Sequence, residues 1–278
     1  MLAEAEARKV LGPAMALARQ HAPGRPVHVV VESDAGMLTR RARQFADPPT
    51  VWFAVGRELS QVEPEPLPPE PPVDPRLLDH APVLRDAGCD VVVEFGRLVG
   101  EVNGLEVARV SIVDGEPRLE VGVGRFDREA NDEIAGGEPG EEALRRAVDL
   151  VRRHRTLEGD AHPLKLLATA RWLRTRVLAD PGAVGAASLT AIAPVHEPPD
   201  LRTAWPAPAA GTDLEGNPLV VVCSVGIDLD LVPAAADIRL ADGRGARLVL
   251  AVPARDVHPV TVALASMLAE PATVVPVA

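Results

Sequence analysis

Short runs of valine and leucine recur at both ends of this 278-residue chain, and each pair of runs is separated by a stretch long enough for one helix. The strand-like runs are residues 27–31, 50–55, 248–252 and 273–275. Residues 34–45 and 258–268, which lie between them, have apolar side chains at helical spacing. A period that changes from strand to helix and back predicts a β-α-β unit. We therefore expect a mixed α/β (α+β) fold with central mixed sheets flanked by helices.

The two β-α-β units also resemble each other where the helix joins the second strand. The sequence is Ala-Asp-Pro-Pro-Thr-Val at residues 46–51 and Ala-Glu-Pro-Ala-Thr-Val at residues 269–274. Such a match arises either from an internal duplication or from the sequence pattern that all strand-helix-strand units share. Two architectures are therefore open, namely two similar halves or one elaborated sheet.

An α-β-β-β-α order is predicted for residues 75–155 in the middle of the chain. It begins with a helix at 75–87 and ends with an amphipathic helix at 141–155. A strand at 90–95 and two further strands lie between the helices, and Asp114-Gly115 is typical of the hairpin turn that joins those two.

Two stretches with neither helical nor strand periodicity divide the chain. Residues 62–76 alternate glutamate and proline, which favours an exposed, extended linker. Residues 156–161 have the composition of a connector, and we place the domain boundary there. The predicted domains are an N-terminal α/β half at residues 1–157 and a C-terminal α/β half at residues 158–278.

The charge of the chain limits its partners. A net charge of −11 argues against a generic nucleic-acid coat protein, because affinity for phosphate depends on clustered lysine and arginine. Much of the positive charge nevertheless lies in the helices at 141–178, and the residues are Arg145, Arg146, Arg152, Arg153, Arg155, Lys165, Arg171, Arg174 and Arg176. These residues form either solvated helix faces or a surface that contacts the phosphates of a nucleic acid.

Composition also bears on the compartment. Cys89 and Cys223 are far apart and flanked by apolar residues, which favours two buried free thiols over a disulfide or a metal site. No N-terminal signal and no apolar run of membrane-spanning length is visible, so we expect a cytoplasmic protein without a membrane partner. Alanine richness and the near-exclusive use of arginine over lysine indicate a bacterial, GC-rich origin.

Acidic residues lie at alternate positions on two neighbouring strand-like stretches, residues 100–106 and 117–127. Alternate residues of a strand share a face, and the glycines at the end of the second stretch admit close approach. Carboxylates arranged in this way on a sheet are suited to holding a divalent cation.

The helix-strand-strand-strand-helix order with these acidic positions resembles the core of the PD-(D/E)XK nuclease-like superfamily, over less than a third of the chain. The resemblance implies a site that binds Mg²⁺ or Mn²⁺ and positions water for phosphodiester hydrolysis. Asn103 would stand at the first acid of the family, Glu120 at the second and Gly122 at its lysine. Glu101 shares a face with Asn103, and Arg125 lies near the lysine position. Because two of the three positions depart from the family pattern, the resemblance implies the fold more strongly than the activity.

A simpler interpretation gives these residues no catalytic or metal-binding role. Glu101, Asn103 and Glu120 would line the solvated face of an antiparallel sheet. The apolar residues that alternate with them would then face the core, and they are Val102, Leu105, Leu119, Val121 and Val123.

A second candidate site is an aspartate cluster near the C-terminus. Asp228 and Asp230 project to one side if their segment is extended, and Asp237 follows as a third candidate ligand for a divalent cation. Alternatively, the aspartates are exposed edge charges, or Asp230 caps a helix that opens at Pro233.

Three functions are consistent with these patterns. The first is a protein with a nuclease-like core that acts on or binds nucleic acid, or that keeps only the fold. The second is a non-enzymatic regulatory or protein-interaction module that uses sheet edges and proline-rich segments. The third is a metal-dependent hydrolase centred on the aspartate cluster.

Overall fold

The computed structural model describes residues 2–3, 7–124, 127–129, 140–158 and 160–278. The strands in chain order are β1 (Leu2–Ala3), β2 (His28–Val31), β3 (Thr50–Val55), β4 (Glu58–Gln61), β5 (Asp90–Glu94), β6 (Arg97–Val102), β7 (Leu105–Val113), β8 (Glu116–Val121), β9 (Ala186–Ala191), β10 (Ala207–Asp213), β11 (Pro218–Cys223), β12 (Arg247–Pro253) and β13 (Thr273–Val277). The α-helices are α1 (Leu11–His21), α2 (Ala35–Ala42), α3 (Pro75–Leu78), α4 (Ala81–Asp86), α5 (Glu141–His154), α6 (Thr169–Ala179), α7 (Leu231–Asp242) and α8 (Pro259–Ser266). The expected mixed α+β class is confirmed, and no helix among the described residues has the length and apolarity needed to cross a membrane.

The chain forms two compact units. The parallel-sheet unit contains Met1–Pro68, Asp180–Leu189 and Pro208–Ala278, and the meander unit contains Pro69–Ala179 and Thr190–Ala207. This division differs from the expected boundary at residues 157 and 158, because the meander unit is inserted into the parallel-sheet unit.

The parallel-sheet unit contains two sheets with similar connections. Strands β1, β2 and β3 are parallel and adjacent in that order, with β4 added antiparallel at the edge. Strands β11, β12 and β13 are likewise parallel and adjacent in order, and β10 and β9 extend that sheet. Each set of three strands is connected by two helices, so the β-α-β units expected from the sequence are present at both ends of the chain.

The two repeated segments meet each other directly. Phe45 and Leu268 form an antiparallel bridge, and each immediately precedes the junction sequence that recurs in the two units. The N–H of Ala46 donates to the carbonyl of Met267, and the N–H of Ala269 donates to that of Gln44. Corresponding positions therefore pair with each other, which is the local two-fold arrangement that two similar halves would produce.

The meander unit is built on an antiparallel sheet of four strands, β5 to β8, each paired with the next along the chain. Two-residue turns join them at Phe95-Gly96, Asn103-Gly104 and Asp114-Gly115, and all six residues have positive φ. Two successive positive φ angles are the signature of the type I′ hairpin turn. The hairpin expected at Asp114-Gly115 is confirmed, whereas the expectation of three strands is wrong, because Asn103-Gly104 ends β6 and starts β7.

Helix α5 closes the apolar side of this sheet. Leu144, Val148 and Val151 are buried among side chains of the strands, which include Leu98 and Val110. The inner face predicted for this helix is therefore confirmed. Both cysteines are buried, as expected, and burial raises the pKa of the Cys89 thiol to about 11.

The turn at Gly104 is the most sterically demanding of the three. A Cβ on Gly104 would lie 2.3 Å from the backbone carbon of Arg171, whereas a Cβ on Gly115 would meet no atom within 4 Å. We expect Gly104→Ala to destabilise the protein by about 2–4 kcal/mol, from a left-handed backbone plus a backbone clash. Gly115→Ala is the matched control. It has the cost of a left-handed backbone without the clash, and it should lower the free energy of unfolding by about 1 kcal/mol. Urea unfolding of both variants measures the difference, and equal losses would contradict the close approach.

Candidate functional site

Glu101, which the sequence places in the nuclease-like site, lies on the face of the meander sheet opposite its apolar core, beside Glu94, which the sequence did not single out. Glu94 on β5 and Glu101 on β6 are both buried, and helix α6 covers them with Arg171 and Arg174, which are one turn apart. Arg171 donates to Glu101 Oε1 at 2.6 Å, and Arg174 donates to Glu101 Oε2 at 2.9 Å. Both arginines also bind Glu94. We call these four residues the buried ion-pair cluster.

The two glutamates and two arginines of the buried ion-pair cluster have equal and opposite charges. The ionisation of each glutamate depends on the other three groups. Burial alone would raise the pKa of Glu101, but the attraction of Arg174 and Arg171 outweighs it and holds that pKa below its usual value. At Glu94 burial dominates over the same two arginines and raises the pKa. Both guanidinium groups occupy the space where a cation would neutralise these carboxylates, so the cluster is electrostatically complete without a metal.

Asn103, the residue at the first acid position of the resemblance, has a structural role in the hairpin turn. Its Nδ2 donates to the carbonyl of Arg155 at 2.8 Å. The fully buried Arg155 guanidinium lies 4.8 Å from the Trp172 ring centroid, and burial lowers its pKa to about 10. It donates to the backbone carbonyls of Asn103, Leu164, Leu167 and Ala168. Arg155 thus fixes the turn to the segment that precedes α6.

Glu120 lies apart from Glu101. It is half-buried on β8 opposite Arg109 of β7, and Arg109 in turn pairs with Val99 of β6. Two strand spacings, about 10 Å, therefore separate Glu120 from β6, which is too far for one metal ion to bind both carboxylates. Arg125, the fourth predicted catalytic residue, lies outside the described residues.

The aspartate cluster is also occupied by other partners. Asp237 on α7 is fully buried, and its carboxylate accepts from Arg40 at 2.8 Å and Arg41 at 3.1 Å. Asp230 immediately precedes α7, about 10 Å from Asp237 along the helix axis. Asp228 is half-exposed, and its Oδ1 accepts the backbone N–H of Asp230. Across the residues that the structure describes, no group of three or more His, Cys, Asp or Glu side chains is arranged to hold a metal ion.

The carboxylate of Asp230 is a buried, incompletely bonded group. Its Oδ1 accepts the N–H of Gly12 near the start of α1 at 3.1 Å, while Oδ2 has no hydrogen-bond partner within the described part of the chain. Burial, with a smaller contribution from Asp228, raises its pKa to about 7 against the opposing effect of the Gly12 N–H. The sequence interpretation of Asp230 as a helix cap is not supported, because its side chain makes no capping bond to α7.

The arginine-rich helices are only partly available to a nucleic acid. Arg155, Arg171 and Arg174 are committed to the buried contacts described above. Arg145 and Arg146 remain exposed on α5, as expected for a solvated helix face. Three of the nine basic residues of this stretch are therefore engaged in buried contacts.

Comparison with protein families, curated proteins and solved structures finds no match to this chain.

A second candidate is the uncovered face of the sheet β1–β4. Successive parallel crossovers that move in one direction across a sheet place their helices on the same face, because such crossovers are right-handed. Val29, Val31 and Val51 are buried on the helix-covered face. The opposite face, which we call the open face, consists of His28, Val30, Thr50, Trp52, Ala54, Leu59 and Gln61. None of these residues is buried.

The open face has a tryptophan whose polar group is already satisfied. Trp52 Nε1 donates to His28 Nδ1 at 3.1 Å, so the half-buried indole presents an apolar ring without an unmet donor. Beside it, Leu59 on β4 is 55% exposed and pairs with Ala54.

The edge strand β4 and the segment after it complete this candidate surface. All four residues of β4 are exposed, and within the described part of the chain β4 pairs with β3 alone. The glutamate-proline segment that follows has no regular secondary structure, as expected, but it is fixed to α2. Arg40 donates to the carbonyls of Glu65 and Pro66, and the N–H of Glu65 donates to the carbonyl of Gly36. Five of the six residues of Thr50–Val55 are apolar, so the sequence predicts a strand there but does not distinguish a covered face from an open one.

Proposed function

We propose that this protein is a non-enzymatic interaction protein that binds an extended peptide segment of a partner protein at β4 and the open face. The observation that supports this proposal is the parallel sheet β1–β3, which helices cover on one face only, while Trp52 and Leu59 lie on the other. Parallel strands are normally buried on both faces, so the uncovered apolar face is the unusual one. The buried ion-pair cluster then serves as a scaffold of the meander unit.

The edge of β4 favours an extended partner. Its outward N–H and C=O groups can pair with one more strand, while Leu59 and Trp52 provide contacts for alternate side chains of that strand. Tryptophan is the residue type most enriched among the anchors of protein interfaces. Glu58, Glu63 and Glu65 are exposed on and just after β4. These charges favour a peptide in which apolar residues alternate with lysine or arginine.

A displayed library of random peptides tests the proposal. Selection on the wild-type protein should enrich sequences that alternate apolar and basic residues, and Leu59→Lys should weaken binding of the enriched peptides at least about tenfold, by replacing an anchor with a like charge.

Leu214→Lys is the matched control, because Leu214 is 70% exposed in the same unit but lies in the turn between β10 and β11. It should bind the enriched peptides as tightly as the wild type. If no enriched peptide distinguishes Leu59→Lys from Leu214→Lys, the proposal is wrong.

A further inference from the structure

We propose that the meander unit has a binding site for a phosphate group, in a cleft between the end of α5 and the short 3₁₀ helix Pro163–Leu166. The cleft has a volume of about 370 Å³, within the range of small-molecule sites. Its charged lining residues are Arg153, His154, Glu158, Asp160, His162 and Lys165. This inference is independent of the proposed peptide-binding surface, which belongs to the other unit.

The geometry of the two histidines favours an anion over a metal ion. The rings of His154 and His162 are stacked, with centroids 4.0 Å apart and planes inclined by 14°. The lone pairs of an imidazole lie in the ring plane, so two nearly parallel rings cannot both direct a lone pair at one metal ion. Ring N–H groups in the same arrangement can both donate to the separate oxygens of one phosphate.

His162 is held in a definite orientation. Its Nδ1 accepts the backbone N–H of Leu164 at 3.3 Å and thereby caps the 3₁₀ helix. In the neutral ring the proton must then be on Nε2, which leaves Nε2 as a donor. Lys165 is positioned by the same loop, since its Nζ donates to the carbonyl of Glu158 at 3.2 Å.

The sign of the potential follows from which charges are shielded from water. His154, His162 and Lys165 are half-buried, whereas the carboxylates of Glu158 and Asp160 belong to exposed residues. Solvent and salt screen exposed charges more strongly than partly buried ones, so the ammonium of Lys165 acts more strongly inside the cleft than either carboxylate. His154 also ends α5, where the carbonyl end of the helix dipole stabilises a cationic imidazole.

Binding should be linked to protonation of His154. Partial burial and the neighbouring His162 and Arg153 lower the pKa of His154, so an empty cleft disfavours a second positive charge there. A bound dianion removes that penalty, and the complex takes up a proton. Affinity should therefore increase as the pH falls, with Glu158, Asp160, Arg153 and Lys165 as the other charged groups facing the pair.

Calorimetry and the imidazole NMR signals of the full chain test the site, with inorganic phosphate, AMP and sulfate as probes. We expect the signals of His154 and His162 to shift on addition of each probe. Sulfate stays dianionic near neutral pH, and its affinity should rise about fivefold per unit decrease in pH, below the tenfold limit for uptake of one proton. Tighter binding of AMP than of phosphate would assign an organic phosphate as the ligand, and equal binding would assign free phosphate.

His162→Asn is the diagnostic variant, because asparagine keeps an acceptor at the cap position and removes the imidazole. It should reduce phosphate affinity about tenfold, the effect of one lost charge-assisted hydrogen bond. Arg146→Gln, an exposed residue of α5 that does not line the cleft, controls for the loss of a positive charge and should leave affinity within about twofold. The proposal fails if phosphate moves neither imidazole signal, if Arg146→Gln weakens binding as much as His162→Asn, or if sulfate affinity is independent of pH.

Discussion

Replacing Arg174 with methionine should lower the free energy of unfolding by about 3–5 kcal/mol, the cost of breaking a buried ion pair by removing one partner. Arg174 is 1% exposed and contacts both Glu94 and Glu101. Its loss leaves two buried carboxylates with the single positive charge of Arg171. Urea unfolding at neutral pH measures the change.

Arg145→Met is the matched control, since it removes an arginine from an ion pair at the surface. Arg145 and Glu141 are paired at 2.9 Å with side chains 63% and 64% exposed, and such pairs contribute about 0–1 kcal/mol. Adding Glu101→Gln to Arg174→Met removes one unpaired charge, so the double variant should be more stable than the sum of the two single changes implies. Equal effects of Arg174→Met and Arg145→Met would contradict the structural role of the buried ion-pair cluster.

Asp230 should make the protein less stable as the pH rises from about 4 to about 7. Its pKa of about 7 in the folded chain is above the ordinary value of an aspartate, so the unfolded chain releases this proton first. The folded state therefore loses stability across that interval, and the loss is complete once both states are ionised. The total is roughly 4 kcal/mol at about 1.4 kcal/mol per unit of pKa.

Asp230→Asn should abolish this part of the pH dependence and make the protein more stable than the wild type by about 3 kcal/mol above pH 8. The amide keeps an acceptor for the N–H of Gly12 and carries no charge to bury. Asp47→Asn, at an exposed position of the same unit, should change stability by less than about 0.5 kcal/mol. The assignment is wrong if the free energy of unfolding changes with pH in the same way for the wild type and for Asp230→Asn between about pH 4 and about pH 7.

Local structure was predictable where it depends on local pattern. The β-α-β units at both ends, the Asp114-Gly115 turn and the apolar face of α5 all follow from spacing within a short window. The turn at Asn103-Gly104 has an equally strong local signal, the Asn-Gly dipeptide, but an interpretation as continuous strand placed Asn103 in a metal site. The Asn-Gly dipeptide was sufficient to predict the turn, and the continuous strand was the wrong assignment.

The partners of the carboxylates could not be predicted in the same way. Glu101 is about 70 residues from Arg171 and Arg174, and nothing in the local spacing of either segment specifies their meeting. Arg40 and Asp237 are separated by an even longer stretch of chain. Acidic residues at strand periodicity are compatible with a metal, with solvent or with arginine, and only tertiary packing decides among them.

The insertion of the meander unit has a consequence for the order of events during synthesis. The Pro69–Ala179 stretch emerges from the ribosome as one continuous piece that already contains all four meander strands and their covering helices. The sheet β1–β4 emerges earlier, yet Phe45 cannot pair with Leu268 until residue 268 has been made, although both residues belong to one unit. Since contacts between distant residues form late and slowly, the sheet β1–β4 reaches its final packing after the meander unit although it is translated before it, and its apolar strands are exposed in the interval.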